Sequence, residues 1–306
     1  MSKLLTVFGA TGQQGGSILH YLLRRPDILK TYRLRGITRD VSKPAAVALE
    51  KAGVEMVQAD MDDKASLRAA VAGSNAVFAM TNFWETGSAE VEVAQGKAMA
   101  DAAVGAGAEL IVWASLPNVT EMSGGKLSNV KNYDDKAEVE AYIRTLPIKS
   151  AFFMPAMYMQ MFTHMFKPKP NNDGELVFSV TWSGRCPLID IRDAGKFIVP
   201  ALLDPNKYNG KRFTAATAFY TPAQMVESWK KVTGKEIQLG EASDGAWGQG
   251  FPPDLLEMLK EVRGLISEYE CYGPTGQDDL DWTLAQMDDA ATTWERFVQD
   301  NQPWFD

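Results

Sequence analysis

Cysteine and histidine are scarce in this 306-residue sequence, which has two of each. Cys186 and Cys271 match no metal-binding spacing and no CxxC pair, so the sequence predicts neither a metal site nor a disulfide framework. Cysteines without such a framework are typical of a reducing compartment. We therefore expect a cytoplasmic protein, with the nucleus as a second location. The isolated His20 and His164 indicate structural or surface histidines rather than a catalytic base.

The sequence also lacks a long apolar run and an excess of positive charge. No stretch approaches the ~18 apolar residues of a membrane-spanning helix, and the apolar run near the N-terminus is too short for a signal peptide. There are 31 Lys and Arg against 39 Asp and Glu, a net charge of −8 that repels polyanions. We therefore expect no membrane insertion and no direct nucleic-acid binding.

The composition is that of a globular protein, with 45% hydrophobic and 23% charged residues. In the first half, short apolar runs alternate with helical patterns, which predicts an α/β fold with a doubly wound parallel Rossmann sheet. The second half is less regular and predicts a smaller, mostly helical C-terminal lobe. The six strands predicted in the first half span residues 4–8, 33–38, 54–58, 76–80, 110–114 and 149–153.

The expected division of the chain follows this change of pattern. Residues 1–154 are predicted to form the Rossmann domain, and residues 187–215 are predicted to rejoin its sheet. Residues 155–186 and 216–306 are assigned to the smaller lobe, which would hold a substrate or a protein partner. No flexible linker separates the two parts.

The most informative motif is a glycine-rich segment between the first strand and the first helix. Gly9, Gly12 and Gly15 have the spacing GxxGxxG. In dinucleotide-binding proteins the first glycine makes a tight turn, the second lets the backbone approach a pyrophosphate, and the third allows close packing of helix on sheet. The helix N-terminus then offers free N–H groups and a positive dipole end to the phosphates. Because a strand precedes the motif and a helix follows it, the sequence predicts dinucleotide binding.

The end of the second strand indicates which dinucleotide is bound. An acidic residue here usually bonds the ribose 2′-OH of NAD, whereas an arginine nearby accommodates the 2′-phosphate of NADP. Arg39 follows Thr38 at this point, and Lys43 comes shortly after. A guanidinium fork and a second positive charge suit a phosphate, so the sequence favours NADP(H). The adjacent Asp40 complicates this interpretation.

The third predicted strand is followed by Asp60, near the expected adenine end of a dinucleotide. A contact from Asp60 to adenine is one interpretation. A helix-capping role ahead of Asp62 and Asp63 is an equally good one.

These and further motifs resemble the NmrA-like family, a branch of the atypical short-chain dehydrogenases/reductases. The resemblance runs through at least residue 200 and more loosely to the end. It rests on Val7-Phe8-Gly9-Ala10-Thr11-Gly12 with Gln14-Gly15-Gly16, Thr38-Arg39, Gln58-Ala59-Asp60-Met61-Asp62-Asp63, Thr81-Asn82-Phe83-Trp84-Glu85, Gln95-Gly96-Lys97 and Lys136-Ala137-Glu138-Val139-Glu140. The family includes NADP(H) sensors that change shape or partner with the cofactor state, and some true reductases.

The resemblance implies a set of cofactor-binding residues. Those implied at the pyrophosphate are Gly9, Thr11, Gly12, Gln13, Gln14 and Gly15. The 2′-phosphate would be held by Arg39 and Lys43, and the adenine end would lie at Asp60 and Met61. Those implied at the nicotinamide and its ribose are Thr81, Asn82, Phe83, Lys136, Pro155, Ala156, Met157 and Tyr158.

The sequence offers only an incomplete catalytic set. A standard short-chain dehydrogenase carries Tyr-x-x-x-Lys on one helix, where the lysine lowers the pKa of the proton-donating tyrosine. Here Tyr133 precedes Lys136 by three residues, and Asn132, four before the lysine, has no useful proton near pH 7. Ser115, after the fifth strand, is either a catalytic serine or a turn residue. Ser115, Tyr133 and Lys136 form a candidate catalytic set, and the alternative makes Lys136 a cofactor ligand only.

Two functions stay open. The first is an NADP(H)-binding redox sensor or transcriptional-regulator type protein, which passes the cofactor state to a protein partner. The second is an NADPH-dependent reductase of a small apolar carbonyl, quinone or imine. The Met- and aromatic-rich residues 152–162 suit an apolar pocket or a partner surface, although such stretches are more often ordinary core. The oligomeric state is not predicted.

Overall fold

The computed structural model describes residues 2–241 and 252–305. The described strands are β1 (Lys3–Val7), β2 (Tyr32–Thr38), β3 (Glu55–Gln58), β4 (Ala76–Ala79), β5 (Leu110–Ala114), β6 (Lys149–Pro155), β7 (Met157–Tyr158), β8 (Lys169–Pro170), β9 (Leu176–Val180), β10 (Cys186–Ile189), β11 (Lys211–Ala215), β12 (Ala218–Tyr220) and β13 (Ile237–Glu241). The described α-helices are α1 (Gln13–Leu22), α2 (Pro26–Thr31), α3 (Pro44–Lys51), α4 (Lys64–Val71), α5 (Ala89–Gly105), α6 (Val119–Met122), α7 (Lys131–Ile143), α8 (Ala194–Leu203), α9 (Pro222–Thr233), α10 (Pro253–Tyr269), α11 (Gly276–Leu284) and α12 (Trp294–Asp300).

Seven strands form one parallel sheet in the order β11-β6-β5-β4-β1-β2-β3. The prediction of a doubly wound Rossmann sheet is confirmed. Strands β4 and β5 are buried along their whole length, which explains why they appear in the sequence as continuous apolar runs. The strand order reverses between β1 and β4, and the carboxyl ends of strands at such a switch point are where α/β sheets bind ligands.

Strand β11 extends the sheet beyond β6, with Phe213 opposite Phe153. It follows α8, a largely buried helix that contacts β5, β6 and β11. Of residues 187–215, which were expected to rejoin the main sheet, β11 does so and α8 packs on it. Strand β10 instead pairs with β12 and β7 in a small sheet. The exact division of the chain into two domains remains a prediction.

Helices and two small sheets make up the rest of the described chain. The small sheets have the orders β12-β10-β7 and β13-β9-β8. Phe162, Trp229 and Trp294 are fully buried between them and the last helices, with the two indole rings 4.9 Å apart edge to face. Within residues 152–162, Phe152, Phe153, Met159 and Phe162 are core, and Met157 lines a cavity near the main sheet, so both interpretations of that stretch apply.

Pro26 begins a helix as well as following one. Helix α1 ends at Leu22, and α2 starts at Pro26 itself. Proline suits the first helical position because its φ is already helical and the N–H it lacks would be unpaired there.

The two cysteines are free thiols, and both are buried. The neighbouring Cys271 thiol and burial raise the pKa of the Cys186 thiol well above its usual range. Among the described residues, no group of three or more His, Cys, Asp or Glu side chains is placed to hold a metal. No helix in the same part of the chain has the length and apolarity to cross a membrane.

Candidate functional site

The glycine-rich turn lies at the carboxyl end of β1, beside the end of β4. Gly9 has φ +65°, and the Gly12 N–H donates to the Gly9 carbonyl at 2.9 Å, which closes the turn. A Cβ at Gly9 would overlap the Met80 sulfur, and a Cβ at Gly15 would lie 2.5 Å from the carbonyl oxygens of both Gly9 and Phe8. Only glycine therefore lets α1 approach the strand end this closely.

The N-terminus of α1 is open to an anionic ligand. Its N-cap is Gly12, which has no side chain to cap the helix. The first turn carries no acidic residue, and Gly12 and Gln13 are exposed. Unpaired N–H groups at the positive end of a helix dipole form a ready site for a phosphate.

Gln14 connects the glycine-rich turn to β7. It is 7% exposed, and its Nε2 donates to the Tyr158 hydroxyl at 2.6 Å. Its Oε1 is buried and has no hydrogen-bond partner within the described ranges. A buried amide oxygen without a partner is unfavourable, so this position fits a ligand that brings a donor. Burial raises the pKa of Tyr158 to about 12, so its hydroxyl stays protonated at neutral pH.

Arg39 lies at the end of β2, next to this turn. The hydroxyls of Thr38 and Thr11 are 3.3 Å apart, which brings the strand end against the turn. The Arg39 guanidinium is exposed and donates through Nη2 to Oε1 of Glu85. Lys43 is exposed at the N-cap of α3. The expected phosphate-binding arginine is thus already paired with a carboxylate.

Asp40, the acidic residue next to Arg39, is used in a local turn. Its Oδ1 accepts hydrogen bonds from the Ser42 N–H at 2.8 Å and the Ser42 hydroxyl at 2.6 Å. These bonds hold the pKa of Asp40 below its usual value. The Asp40 carboxylate is therefore engaged by Ser42.

Glu85 belongs to the segment that follows β4. A single 3₁₀ turn, Phe83–Glu85, is closed by the Glu85 N–H donating to the Asn82 carbonyl at 3.1 Å. Asn82 is exposed, and Phe83 packs edge to face on the exposed Trp84. The predicted nicotinamide residues Asn82 and Phe83 therefore lie on the same short turn as the carboxylate that pairs with Arg39.

Asp60 lies exposed in the turn after β3. Its Oδ1 accepts from the Asp62 N–H at 3.0 Å, and its carbonyl accepts from the Ser66 hydroxyl at 3.0 Å. The N-cap of α4 is Asp63, so helix capping falls to Asp63 and not to Asp60. The role of Asp60 and the half-buried Met61 toward adenine stays a prediction.

Lys136 extends from α7 to the end of β4. Its Nζ donates to the Thr81 hydroxyl at 3.0 Å and forms an ion pair with Glu92 of α5. The Thr81 hydroxyl in turn donates to Oε1 of Glu92 at 2.7 Å. Glu92 is 2% exposed, and its Oε2 has no hydrogen-bond partner in the described part of the chain. A buried carboxylate therefore balances the charge of Lys136.

Tyr133 faces a different environment from Lys136. It lines a small apolar cavity of about 20 Å³, room for about one water, together with Pro155, Ala156 and Met157 of the β6–β7 segment and Ile266 of α10. Burial raises the pKa of Tyr133 well above its usual range. The hydrogen bonds of Lys136 go to Thr81 and Glu92, so the Tyr–Lys pair of a standard dehydrogenase is not formed by these contacts.

Ser115 is fully buried and serves a structural network. Its hydroxyl donates to Oε2 of Glu140 at 2.5 Å. Glu140 also accepts from Arg144 at 2.8 Å and from Arg212 at 2.7 Å. The network joins the end of β5, α7 and β11, and this placement favours a structural role for Ser115 over a catalytic one.

The structure brings the predicted residues together in three groups. The first joins the glycine-rich turn to Arg39, the second joins Thr81 to Lys136, and the third joins Tyr133 to the β6–β7 segment. Glu85, Glu92 and Glu140 were assigned no role from the sequence. Their contacts with Arg39, Lys136 and Ser115 span 46, 44 and 25 residues, so no local spacing predicts these three contacts.

Asp135, next to Lys136, is a buried carboxyl with an unusual pKa. Its Oδ2 has no hydrogen-bond partner among residues 2–241 and 252–305. Burial, and then the charge of Glu92, raise its pKa from 3.8 to about 6. The folded state thus binds this proton more tightly than the unfolded chain does. The resulting stabilisation is complete below about pH 4 and is lost as the pH rises through about 6.

Asp135→Asn should remove this dependence, because an amide stays neutral where the buried carboxylate must ionise. We expect the variant's free energy of unfolding to exceed that of the wild type by about 1–2 kcal/mol at pH 8. The difference should shrink toward pH 4.5. Urea unfolding of both proteins at the two pH values measures it, and an equal difference at both would rule out ionisation of Asp135 as the cause.

The sheet order, together with the glycine-rich turn and the open N-terminus of α1 behind it, defines a Rossmann-type α/β protein. The NmrA-like family model matches residues 1–298, and the chain belongs to this family. An NmrA-like family domain-containing oxidoreductase of Cladobotryum sp, FrzB, is 32% identical over 259 residues, 78% of this chain and 76% of the relative. The oxidoreductase ptmS of Penicillium ochrochloron, named for the same domain, is 30% identical over 304 residues, 90% and 88% of the two chains.

Solved structures show the same fold. NmrA, a negative transcriptional regulator, in complex with NADP has a TM-score of 0.78 at 19% identity, over 99% of this chain and 95% of that chain. Triphenylmethane reductase of Citrobacter sp., complexed with NADP(H), has a TM-score of 0.77 at 20% identity, over 98% and 99%. One neighbour is thus a regulator and the other a reductase.

Proposed function

We propose that this chain binds NADP(H) at the carboxyl edge of the main sheet. The observation that carries the proposal is the open N-terminus of α1 behind the closed Gly9–Gly12 turn. Gly9 and residues 11–15 would hold the pyrophosphate, and Arg39 and Lys43 the 2′-phosphate. The NADP complexes of the regulator and the reductase with the same fold support this choice of cofactor.

The remaining predicted contacts are to the adenine and nicotinamide ends of the cofactor. Asp60 and Met61 would lie at the adenine end, and Thr81 with Lys136 at the nicotinamide ribose. The nicotinamide would be flanked by Asn82, Phe83 and the segment Pro155, Ala156, Met157 and Tyr158. The unpaired Oε1 of Gln14 would accept a hydrogen bond from the bound ligand.

Arg39→Ala tests the cofactor. A charge-assisted bond to a phosphate contributes about 1.5–3 kcal/mol, so we expect NADP affinity to fall at least about tenfold. NAD affinity should change less than about twofold, because NAD lacks the 2′-phosphate. Calorimetric titration with both cofactors measures this, with Arg33→Ala, an exposed arginine on the same strand, as the control. An equal loss for both cofactors would contradict the 2′-phosphate contact.

Sensing or regulation is the use of the cofactor that the geometry supports best. When bound, NADPH supplies a hydride, and a reductase must also deliver a proton. Here Lys136 is neutralised by Glu92 and Ser115 is bonded to Glu140. Within the described residues, the hydrogen bonds of the Lys136 ammonium and the Ser115 hydroxyl do not include Tyr133. The chain's own residues thus hold the cofactor without a Lys-activated proton donor. A protein partner, in the cytoplasm or the nucleus, would respond to the state of the bound cofactor.

Reduction of a small apolar carbonyl, quinone or imine is the second candidate function. The apolar cavity favours it, because the protonated Tyr133 hydroxyl lies beside the segment expected to flank the nicotinamide. The naming of the FrzB and ptmS relatives as oxidoreductases also supports it. A screen of NADPH oxidation with apolar acceptors distinguishes the two functions. Turnover that Tyr133→Phe abolishes, at unchanged NADPH affinity, would favour the reductase, and no turnover would favour the sensor.

A further inference from the structure

We propose that Glu85 sets the preference of this site between NADP(H) and NAD(H), by competing with the 2′-phosphate for Arg39. The inference rests on the proposed dinucleotide binding and adds a residue that determines specificity. It starts from the ion pair that the Arg39 guanidinium already forms.

A ligand can reach the Arg39–Glu85 ion pair, and the backbone at Glu85 is held in place by hydrogen bonds. The side chains of Arg39 and Glu85 are 59% and 42% exposed, so a ligand can reach them from solvent. The backbone under Glu85 is held by its bond to the Asn82 carbonyl and by the Gly87 N–H donating to the Phe83 carbonyl at 2.8 Å. Displacing the carboxylate from Arg39 therefore needs only rotation of the Glu85 side chain.

A carboxylate and a phosphate use the same guanidinium donors. A bound 2′-phosphate would take the Arg39 donors from Glu85 and place a second negative charge near its carboxylate. Both effects weaken NADP binding relative to a site without Glu85. Since the pair is exposed, solvent and salt limit the effect to a modest factor.

NAD presents the opposite chemistry at the same position. Its ribose 2′-OH is a hydrogen-bond donor, and NAD sites usually meet it with a carboxylate at the end of the second strand. In this chain Arg39 stands there, and the Oδ1 of Asp40 accepts two hydrogen bonds from Ser42. Glu85 supplies a further carboxylate from the turn after β4, a strand that β1 separates from β2 in the sheet. The site therefore suits the 2′-OH of NAD when the Glu85 carboxylate stays on Arg39. It suits the 2′-phosphate of NADP when that carboxylate is displaced from Arg39.

Glu85→Gln keeps the side-chain shape and removes the charge. We expect NADP affinity to rise about 3- to 10-fold and NAD affinity to stay constant or fall up to about threefold, as measured by calorimetry at low ionic strength. Glu90→Gln, an exposed glutamate in the first turn of α5, is the control and should leave both affinities unchanged. In the Arg39→Ala background, Glu85→Gln should lose the part of its effect on NADP that comes from competition for the guanidinium and keep only the part that comes from charge repulsion.

The outcomes separate this inference from the proposed function. If the wild type binds neither cofactor, the proposal of dinucleotide binding is wrong, and the proposed role of Glu85 is wrong as well. If the wild type binds NADP but Glu85→Gln matches Glu90→Gln, only the competition is wrong. A gain that is equal for NADP and NAD, or that persists in full without Arg39, would also overturn it.

Discussion

Glu140→Ala should lower the free energy of unfolding by about 2–4 kcal/mol, one of the two largest effects that we expect. The Glu140 side chain is 1% exposed and accepts hydrogen bonds from Ser115, Arg144 and Arg212. Alanine would leave the buried Ser115 hydroxyl without this acceptor and would open a cavity between α7 and the sheet. Urea unfolding at neutral pH measures the change.

Glu138→Ala is the matched control, because Glu138 lies on the same helix and also forms an ion pair. Its partner is Lys97 at 2.7 Å, and the Glu138 side chain is 57% exposed. We expect its loss to cost less than about 0.5 kcal/mol, as is usual for exposed pairs. Equal effects of the two substitutions would show that the buried network around Ser115 contributes no special stability.

Gly15→Ala should damage both the cofactor site and the fold. The new Cβ would lie 2.5 Å from two backbone oxygens, so α1 must move away from the end of β1. We expect the free energy of unfolding to fall by about 1–3 kcal/mol. NADP affinity should fall at least about tenfold, because the first N–H groups of α1 move relative to the turn. Thermal unfolding and calorimetric titration measure the two effects.

Gly105→Ala provides the comparison for this substitution. Gly105 is the last residue of α5, and a Cβ there would meet no atom within 4 Å. We expect a stability change within about 1 kcal/mol, in the stabilising direction, since alanine reduces the entropy of the unfolded chain. If Gly15→Ala behaved in the same way, the close packing of α1 on the glycine-rich turn would be refuted.

The main sheet was predictable because its signals are local and buried. The predicted strands 33–38 and 110–114 match β2 and β5 to within one residue, since each is a short run of mostly buried residues bounded by turns. The small sheets were not predicted. Strands β7 and β8 have two residues each, too few to show a period-2 pattern, and only pairing with distant strands defines them.

The candidate site was predictable in the same partial way. The glycine-rich turn and Arg39 were predictable because each of them lies between a strand and a helix in the sequence. The partners of these residues were not visible. Arg39 meets Glu85, and Lys136 meets Glu92, only after β2, β4, α5 and α7 have come together. A catalytic interpretation of Ser115 has the same weakness, because its contact with Glu140 depends on how α7 packs against β5.

The sequence by itself determined the Rossmann class and the glycine-rich turn, because each follows from residue types at short, regular spacings. Its motifs also resemble those of the NmrA-like family. Only the tertiary structure decided which polar side chains meet: Glu85 and Arg39, Glu92 and Lys136, and Glu140 and Ser115. Side chains 25 to 46 residues apart carry no spacing signal. Their pairing is decided by the order of the strands in the sheet and by the packing of the helices on it.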